Sequence, residues 1–237
     1  MKLIFFAINF LIITMAKNKL EKFKDLDIFS NTIQPDKDDL LKDNFSIKGN
    51  WNKEFKNDNP IILELGCGKG EYTVNLASKF PNINYIGVDI KGSRIWKGAK
   101  FATENQLKNV RFLRTQIEFL PFCFSKNEVA ELWITFPDPQ IKYRRRKKRL
   151  TGITMLNRYK HILKKKALLH LKTDSQFLHG YTLGVLEKQK CNIILSSHDI
   201  YGSDLINKNK ILSIKTFYEE KFLKNNQPIT YICFQIN

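Results

Sequence analysis

The sequence predicts an α/β protein with a mostly parallel sheet of seven strands, helices on both faces of the sheet and an antiparallel last strand. From Asn59 onward, five apolar runs of four to seven residues are each followed by a segment of helix length, which is typical of a parallel sheet covered by helices. Two further apolar runs come last and favour a hairpin-like or antiparallel ending. In chain order, the predicted strands cover residues 61–65, 85–90, 110–113, 130–136, 167–173, 192–197 and 229–236.

Length and composition agree with one such domain that carries a small appendage. The chain has 237 residues, 43% of them hydrophobic and 18 of them Phe, so collagen-like and disordered proteins are excluded. The four cysteines are 56, 68 and 42 residues apart, with no CxxC pair and no His at zinc-ligand spacing. We therefore expect reduced thiols in a cytosolic protein, without a disulfide framework or a metal site. The four histidines form no HExxH pattern, and we expect no catalytic role for them.

The charge of the chain indicates a polyanionic partner. The sequence has 40 Lys and Arg against 23 Asp and Glu, a formal net charge of +17. Nucleic acid is the first candidate, because each Lys or Arg set against a phosphate releases condensed counterions. An anionic membrane surface is the second.

Two segments precede the predicted sheet. Residues 1–14 hold 11 apolar residues and one Lys, which is too short for a membrane-spanning helix but resembles the apolar stretch of a secretory signal. We interpret Met15 as the working start of the protein, with a signal or membrane anchor as the alternative. Residues 15–59 predict a basic N-terminal arm of irregular or short helical structure, and residues 60–237 form the main domain.

A glycine-rich loop follows the first predicted strand. Gly66, Gly68 and Gly70 stand at a strand-to-helix turn, where glycine lets the backbone approach a ligand and the helix start offers unpaired N–H groups. The second strand ends in Asp89, where a carboxylate can accept both hydroxyls of a ribose. Glu64 before the loop would repel a diphosphate and suits a cofactor with an amino group and a sulfonium charge. A dinucleotide site and a tight turn without a ligand remain alternatives, although the third glycine comes one position early for GxGxxG.

This combination resembles the nucleotide-binding motif of S-adenosylmethionine-dependent methyltransferases with a Rossmann-like sheet. The resemblance implies S-adenosylmethionine as the cofactor. In that superfamily the third strand commonly ends in an acidic or amide residue near the adenine, which here is Gln116. A polar loop residue without a ligand is the alternative for Gln116.

The most informative stretch is AELWITFPDPQIKYRRRKKRL. Its strand delivers Asp138, held between Pro137 and Pro139, to the carboxyl edge of the sheet, where open α/β folds bind ligands. Seven of the next eight residues, 142–149, are basic. Such a run repels itself unless phosphates neutralise it, so it predicts a nucleic-acid contact, with a solvated basic face or localisation tag as the alternative.

In this order, LELGCGKGE, GVDI, FPDPxxKxRRxKKRL, KTD and TFYE resemble the bacterial tRNA (guanine-N7)-methyltransferases, over about residues 64–219. The resemblance implies a methyltransferase domain at residues 60–237 that methylates guanine 46 of the tRNA variable loop, in a cytoplasmic monomer or homodimer without membrane or metal. It implies cofactor contacts by Glu64, Gly66, Gly68, Gly70, Asp89, Gln116 and Asp138. It implies substrate contacts by Lys142, Asp174, Thr216, Phe217, Tyr218 and Glu219, and RNA contacts by Arg144, Arg145, Arg146, Lys147, Lys148 and Arg149. Gln116, Gln140 and Arg145 depart from the residues common in the family.

The chemistry of the implied reaction needs positioning more than proton transfer. Guanine N7 has an in-plane lone pair and no proton, so it can attack a sulfonium methyl group directly, without a strong general base. We expect Asp138 to be catalytic, orienting the guanine together with Asp174 through its N1–H and N2 amino groups. Thr216 and Glu219 also have the spacing of a helix capping box, and both roles can coexist.

Three alternatives stay open at this point. A methyltransferase of the same fold can act on another RNA or on protein, and a basic RNA-binding protein can lack catalysis. A nicotinamide-dependent enzyme is disfavoured by the glycine spacing and by Glu64.

Overall fold

A computed structural model describes residues 19–236 of the chain. The apolar stretch at residues 1–14, and with it the prediction about the start of the protein, lies outside the described residues. No helix among residues 19–236 is long and apolar enough to cross a membrane.

The described residues form an eight-stranded sheet with helices packed against it. The strands are β1 Thr32–Ile33, β2 Ile61–Leu65, β3 Asn84–Asp89, β4 Val110–Arg114, β5 Val129–Thr135, β6 Leu163–Thr173, β7 Asn192–Ser197 and β8 Thr230–Gln235. The α-helices are α1 at residues 19–28, α2 Lys37–Leu41, α3 Trp51–Phe55, α4 Glu71–Lys79, α5 Gly92–Glu104, α6 Leu120–Cys123, α7 Ile153–Ile162, α8 Gln176–Lys188, α9 Leu205–Lys208 and α10 Phe217–Lys224. Two 3-10 helices cover Ile117–Phe119 and Tyr143–Lys148.

The predicted α/β class and the mostly parallel sheet are confirmed, and so is the antiparallel last strand. The spatial order is β1-β4-β3-β2-β5-β6-β8-β7, and β8 runs antiparallel to both of its neighbours. The strand count is wrong by one, because β1 comes from the N-terminal arm and pairs Thr32 with Phe112 and Ile33 with Leu113 of β4. A strand of two residues has no periodicity, so sequence patterning cannot detect it.

The strand order creates a crevice in the middle of the sheet. From β2 the chain adds β3 and β4 on one side and then returns to add β5 and β6 on the other. The loops that follow β2 and β5 therefore leave in opposite directions at their carboxyl ends. Such a switch point is where open α/β sheets bind ligands.

The N-terminal arm packs into the core through aromatic side chains. Trp51 of α3 is fully buried, stacks on Phe124 with ring centroids 5.0 Å apart, and donates its indole N–H to the Cys123 carbonyl at 3.0 Å. Glu54 on the same helix accepts from Arg111 of β4 at 2.7 Å. Together with β1, these contacts fasten the arm to the β4 end of the sheet.

Stacked and hydrogen-bonded side chains connect β5, β6 and β8, the strands on the other side of the crevice from β3 and β4. The His170 ring lies 4.0 Å from that of Trp133, its Nδ1 is 2.7 Å from the Tyr231 hydroxyl, and its Nε2 is 3.2 Å from Glu131. Burial alone would raise the pKa of Glu131, but its bonds with His170 and Trp133 lower that pKa overall. These side chains join β5, β6 and β8 away from the crevice. Among the described residues no disulfide forms.

Candidate active site

A cavity of about 420 Å³ opens at the carboxyl ends of β2 and β5. Five chain segments that are distant in sequence meet there: the glycine-rich loop, the start of α5, the loop after β5, the residue after β6 and helix α10 with its N-cap. The lining residues are Glu64, Gly66, Cys67, Gly68, Lys69, Glu71, Lys91, Arg94, Thr135, Phe136, Pro137, Asp138, Pro139, Asp174, Thr216, Tyr218 and Phe222. Of the residues that the sequence motifs singled out, seven line this cavity: Glu64, Gly66, Gly68, Asp138, Asp174, Thr216 and Tyr218.

The glycine-rich loop forms the floor of this cavity. Gly66 and Gly68 both have left-handed backbone conformations, with φ of 72° and 57°. A Cβ built on Gly66 would meet no atom within 4 Å, so the backbone here faces open space that a side chain would fill. Asp89 holds the loop, since its carboxylate accepts from the Gly68 N–H at 3.0 Å and from the Lys91 N–H at 2.8 Å. Each Asp89 oxygen keeps further lone pairs for hydroxyl donors.

Gly70 has a structural role that differs from its predicted cofactor contact. It caps the N-terminus of α4 with φ of 71°, is buried, and does not line the cavity. A Cβ at this position would lie 2.5 Å from the Phe112 ring and 3.3 Å from the Gly98 Cα. Glycine is therefore required for the packing of α4 against α5 and β4.

Glu64 is the buried carboxylate of the cavity. Its Oε1 accepts from the Thr135 hydroxyl at 2.6 Å, and its Oε2 accepts from the Thr73 N–H at 2.9 Å and from the Thr73 hydroxyl. Burial raises the pKa of Glu64 to about 7, with a smaller contribution from Glu71, while the three hydrogen bonds oppose this rise. A positively charged ligand in the cavity would favour the ionised form.

The loop after β5, which we call the acceptor loop (residues 136–140), has an unusual backbone. Phe136 and Gln140, at its two ends, both have φ of 47°, which is rare for residues other than glycine. The Phe136 N–H donates to the Lys172 carbonyl at 2.8 Å, and its ring stacks on Phe222. Asp138 stands exposed between the two prolines at the mouth of the cavity and accepts from the Gln140 side chain at 3.3 Å. Strained residues of this kind cluster at ligand-binding loops.

The start of α10 and the end of β6 form the opposite wall. The Thr216 hydroxyl caps α10 by accepting from the Glu219 N–H at 3.2 Å, and Tyr218 lines the cavity. The exposed Phe217 ring lies 4.1 Å from the Lys69 ammonium at the rim. Asp174 follows β6 and is half-buried, and this burial raises the pKa of its carboxyl.

Glu219 does not reach the cavity, in contrast to its predicted substrate contact. Its side chain is fully buried and pairs with the buried Lys172 ammonium, 2.7 Å away, while also accepting from the Tyr201 hydroxyl at 2.7 Å. Lys172 donates in addition to the carbonyls of Leu212 and Ile214. Burial lowers the pKa of Lys172, and the Glu219 carboxylate opposes that change. The capping box is therefore half-formed, because the Glu219 carboxylate serves the ion pair.

The predicted RNA-binding residues divide into two groups. Residues 142–148 are all exposed, and Tyr143–Lys148 form a 3-10 helix directly after the acceptor loop. Arg149 is only 7% exposed, which contradicts its predicted contact with RNA. Its guanidinium donates to the Gln140 carbonyl at 3.1 and 3.2 Å and stacks on Phe177 and Tyr181. Arg149 thus fastens the basic segment to the end of the acceptor loop.

Lys142 and Gln116 lie outside the cavity. Lys142 is exposed at the start of the basic segment. Gln116, also exposed, lines a second cavity of about 360 Å³ together with Ile90 and Arg114. Because Lys91 lines the first cavity and Ile90 the second, the two cavities are neighbours along the carboxyl edge, on either side of the end of β3.

The predicted site residues omit three cationic residues that line the cavity: Lys69, Lys91 and Arg94. Lys91 and Arg94 line it from the start of α5, directly after the strand that ends in Asp89. Because Lys91 and Arg94 directly follow the strand that ends in Asp89, the sequence could have indicated that they lie near the cavity. Among residues 19–236, no group of three or more His, Cys, Asp or Glu side chains is arranged to hold a metal ion.

The chain matches, over residues 58–232, the model of a family described as "Putative methyltransferase". It is similar to the tRNA (guanine-N(7)-)-methyltransferase of Christiangramia forsetii, with 55% identity over 93% of this chain and 99% of that protein. The protein of the same name from Bacteroides fragilis is 46% identical over 93% of this chain and 86% of its own length. The crystal structure of the 16S rRNA methyltransferase KamB has a TM-score of 0.61 at 14% identity, covering 80% of this chain and 93% of that one, a likeness that concerns the fold alone.

Proposed function

The chain belongs to the family of bacterial tRNA (guanine-N(7)-)-methyltransferases, and from this premise we propose how its residues perform the reaction. The reaction transfers a methyl group from S-adenosylmethionine to N7 of a guanine in tRNA. The observation that supports our assignment best is the acceptor loop, which joins a carboxylate-lined cavity to an exposed basic segment within a few residues. The loop thereby brings the methyl donor, the guanine and the RNA backbone to one place.

The residues of the cavity fit S-adenosylmethionine, together with Asp89, which is bonded to the glycine-rich loop but does not itself line the cavity. The open space beside Gly66 accepts a ligand against the loop backbone, and Asp89 offers free lone pairs to the ribose hydroxyls. Glu64 supplies the negative charge that a cationic amino acid part requires. When bound, this cofactor supplies a methyl group on a positively charged sulfur atom.

Asp138 and Asp174 position the guanine in our proposal. Both line the cavity, one on the acceptor loop and the other after the neighbouring strand β6. Their carboxylates accept from the N1–H and the N2 amino group, which directs the proton-free N7 toward the donor. They also offset the positive charge that the ring gains when N7 is alkylated. No general base is needed for this step.

The exposed basic segment, residues 142–148, binds the tRNA backbone, and its place after the acceptor loop supports this role. We assign guanine 46 of the variable loop as the target, supported by the ordered motifs that the chain shares with its family. We assign the protein to the cytoplasm, where its tRNA substrate is found, as a monomer or homodimer.

The proposal is tested by incubating the protein with bulk tRNA and labelled S-adenosylmethionine, followed by nucleoside analysis. We expect the label in 7-methylguanosine and, after mapping, at position 46. Label in another nucleoside would contradict the assignment of N7, and label in 7-methylguanosine elsewhere would contradict position 46 alone.

A matched pair of variants tests the site within the same assay. Asp138→Asn removes the charge at the cavity mouth, whereas Asp204→Asn removes an exposed carboxylate that pairs, within residues 19–236, with Asn207 and Lys208. We expect loss of methylation in the first variant and normal methylation in the second. Equal rates in both variants would remove Asp138 from the site.

A further inference from the structure

The residues between Asp138 and Asp174 carry most of the excess positive charge. Residues 139–173 contain 13 Lys and Arg and no Asp or Glu, in a chain with a formal net charge of +17. Arg149 and Lys172 are buried and bonded within the protein, whereas the other eleven are fully or partly exposed. The proposed function uses only the part of this charge at residues 142–148.

Helix α7 carries the charge from one edge of the sheet to the other. It begins shortly after Arg149, beside the acceptor loop, and ends at Ile162, where Leu163 opens β6 by pairing with the first residue of β5. Its ten residues span about 15 Å at ~1.5 Å per residue. Arg158 and Lys160 are accessible on its outer side. Accessible positive charge is therefore present at the active-site edge (residues 142–148), on the last turns of α7 and at the opposite edge (residues 164–166).

At that opposite edge lies a cavity of about 450 Å³, which we call the lysine cavity. Four lysines line it: Lys126, Lys160, Lys164 and Lys165. Its apolar lining consists of Leu163, Ala167, Leu169 and Ile236. No Asp or Glu lines it, and none of these four ammonium groups forms an ion pair with a residue among 19–236.

A bulge in β6 exposes two of the four lysines of this cavity, Lys164 and Lys165. Val129 pairs with Leu163 and Glu131 pairs with Leu168, so residues 164–167 stand opposite the single residue Ala130. Lys166 adopts a left-handed conformation with φ of 60°, and its carbonyl accepts from the Gln235 side chain at 2.7 Å. Residues 164–166 consequently leave the ladder and are all exposed.

We propose that the lysine cavity and the outer side of α7 form a second contact surface for the tRNA substrate, continuous with residues 142–148. Phosphates of one RNA molecule follow α7 away from the active site and reach the exposed lysines at the far edge. The apolar lining of the cavity gives a ribose or an unpaired base a surface to contact. This inference rests on the proposed function, because it takes tRNA as the ligand.

The position of the charge favours RNA over an anionic membrane. Binding to a membrane would not require the basic surface to lie beside the active site. This surface begins next to the acceptor loop and continues to helix α7. Each lysine set against a phosphate releases counterions, so the contact makes tRNA affinity more dependent on salt.

The test compares two double charge reversals by measuring tRNA affinity at several salt concentrations. Lys164→Glu with Lys165→Glu alters the lysine cavity. Lys79→Glu with Lys108→Glu is the matched control, because both lysines are exposed. They precede β3 and β4, so they also lie at the amino ends of the strands, but in the half of the sheet that is away from β5 and β6. We expect the first variant to lose roughly tenfold in tRNA affinity at about 0.15 M salt. In a plot of log affinity against log salt concentration, the negative slope should become shallower by about 1.5.

The kinetics separate this surface from the active site. In the lysine-cavity variant, KM for tRNA should rise while kcat and the affinity for S-adenosylmethionine stay at wild-type values. Equal affinities and slopes in the two variants would overturn the inference. So would unchanged tRNA affinity combined with lost binding to phosphatidylserine vesicles. A wild-type protein that binds tRNA through these lysines but forms no 7-methylguanosine would contradict the proposed function and support the RNA surface.

Discussion

Replacing Glu64 by Gln should remove a pH dependence from the stability of the cofactor-free protein. Burial raises the pKa of this carboxyl from 4.5 to about 7, so the folded protein holds a proton over this range that the unfolded chain has released. The free energy of unfolding therefore falls as pH rises from 4.5 to 7, and the stabilisation is lost above pH 7. Each unit by which the folded pKa exceeds the unfolded pKa contributes ~1.4 kcal/mol, so the free energy of unfolding should decrease by about 3 kcal/mol in total.

Gln is a suitable replacement because it can keep the hydrogen bonds of Glu64. Its carbonyl can accept from the N–H and hydroxyl of Thr73, while its amide can donate to the Thr135 oxygen. The variant consequently loses the ionisable group with little change in packing.

The assay is urea unfolding of both proteins between pH 4.5 and pH 8. The free energy of unfolding of the variant, minus that of the wild type, should rise by about 3 kcal/mol over this range. Glu104→Gln, which removes an exposed carboxylate on α5, is the control. A Glu64→Gln difference that changes by less than about 0.5 kcal/mol would refute the reasoning. Calorimetry should also show weaker binding of S-adenosylmethionine to the variant, because a negative charge opposite the cationic ligand is lost.

Three further substitutions test the structural roles assigned above. Lys172→Met should lower the free energy of unfolding by about 3–5 kcal/mol, because it leaves the buried Glu219 carboxylate unpaired, and adding Glu219→Gln should restore part of it in urea unfolding. Arg149→Met should cost about 1–3 kcal/mol through its lost bonds to the acceptor loop but leave the salt slope of tRNA binding unchanged, whereas Arg146→Ala should lower that slope. A thermal melt should show Gly70→Ala to be destabilised by about 2–4 kcal/mol, since its Cβ would overlap Phe112, and an unchanged melt would contradict that packing role.

Two strands could be predicted with their exact bounds because their patterns are local. Ile61–Leu65 and Asn192–Ser197 agree with the predicted bounds, as each is an apolar run bounded by turn residues. The prediction for β6 began at residue 167, but the strand begins at Leu163. Three exposed lysines in the bulge interrupt the apolar pattern there, so periodicity alone cannot find the true start.

Residue type predicted the location of the site better than the role of each side chain. Positions 146 and 149 are both arginine and belong to one basic run, yet only Arg149 is buried. The difference arises from Phe177 and Tyr181, which α8 brings against the Arg149 guanidinium. Contacts between segments so far apart in sequence are set by the tertiary fold.

Glu219 shows the same limit within a motif. The spacing from Thr216 is correct for a capping box, and the N-cap bond forms as this spacing predicts. The carboxylate instead turns to Lys172 on β6, 47 residues earlier in the chain. A local pattern could not indicate this long-range ion pair.

The central claim is that methyl transfer takes place at the mouth of the cavity, beside the exposed carboxylate of the acceptor loop. The most direct measurement is the single-turnover rate of Asp138→Ala with saturating tRNA and S-adenosylmethionine, together with its affinity for each. Our account predicts a rate at least about 100-fold below that of the wild type, with tRNA and cofactor affinities little changed. A rate within about threefold of the wild type would contradict it.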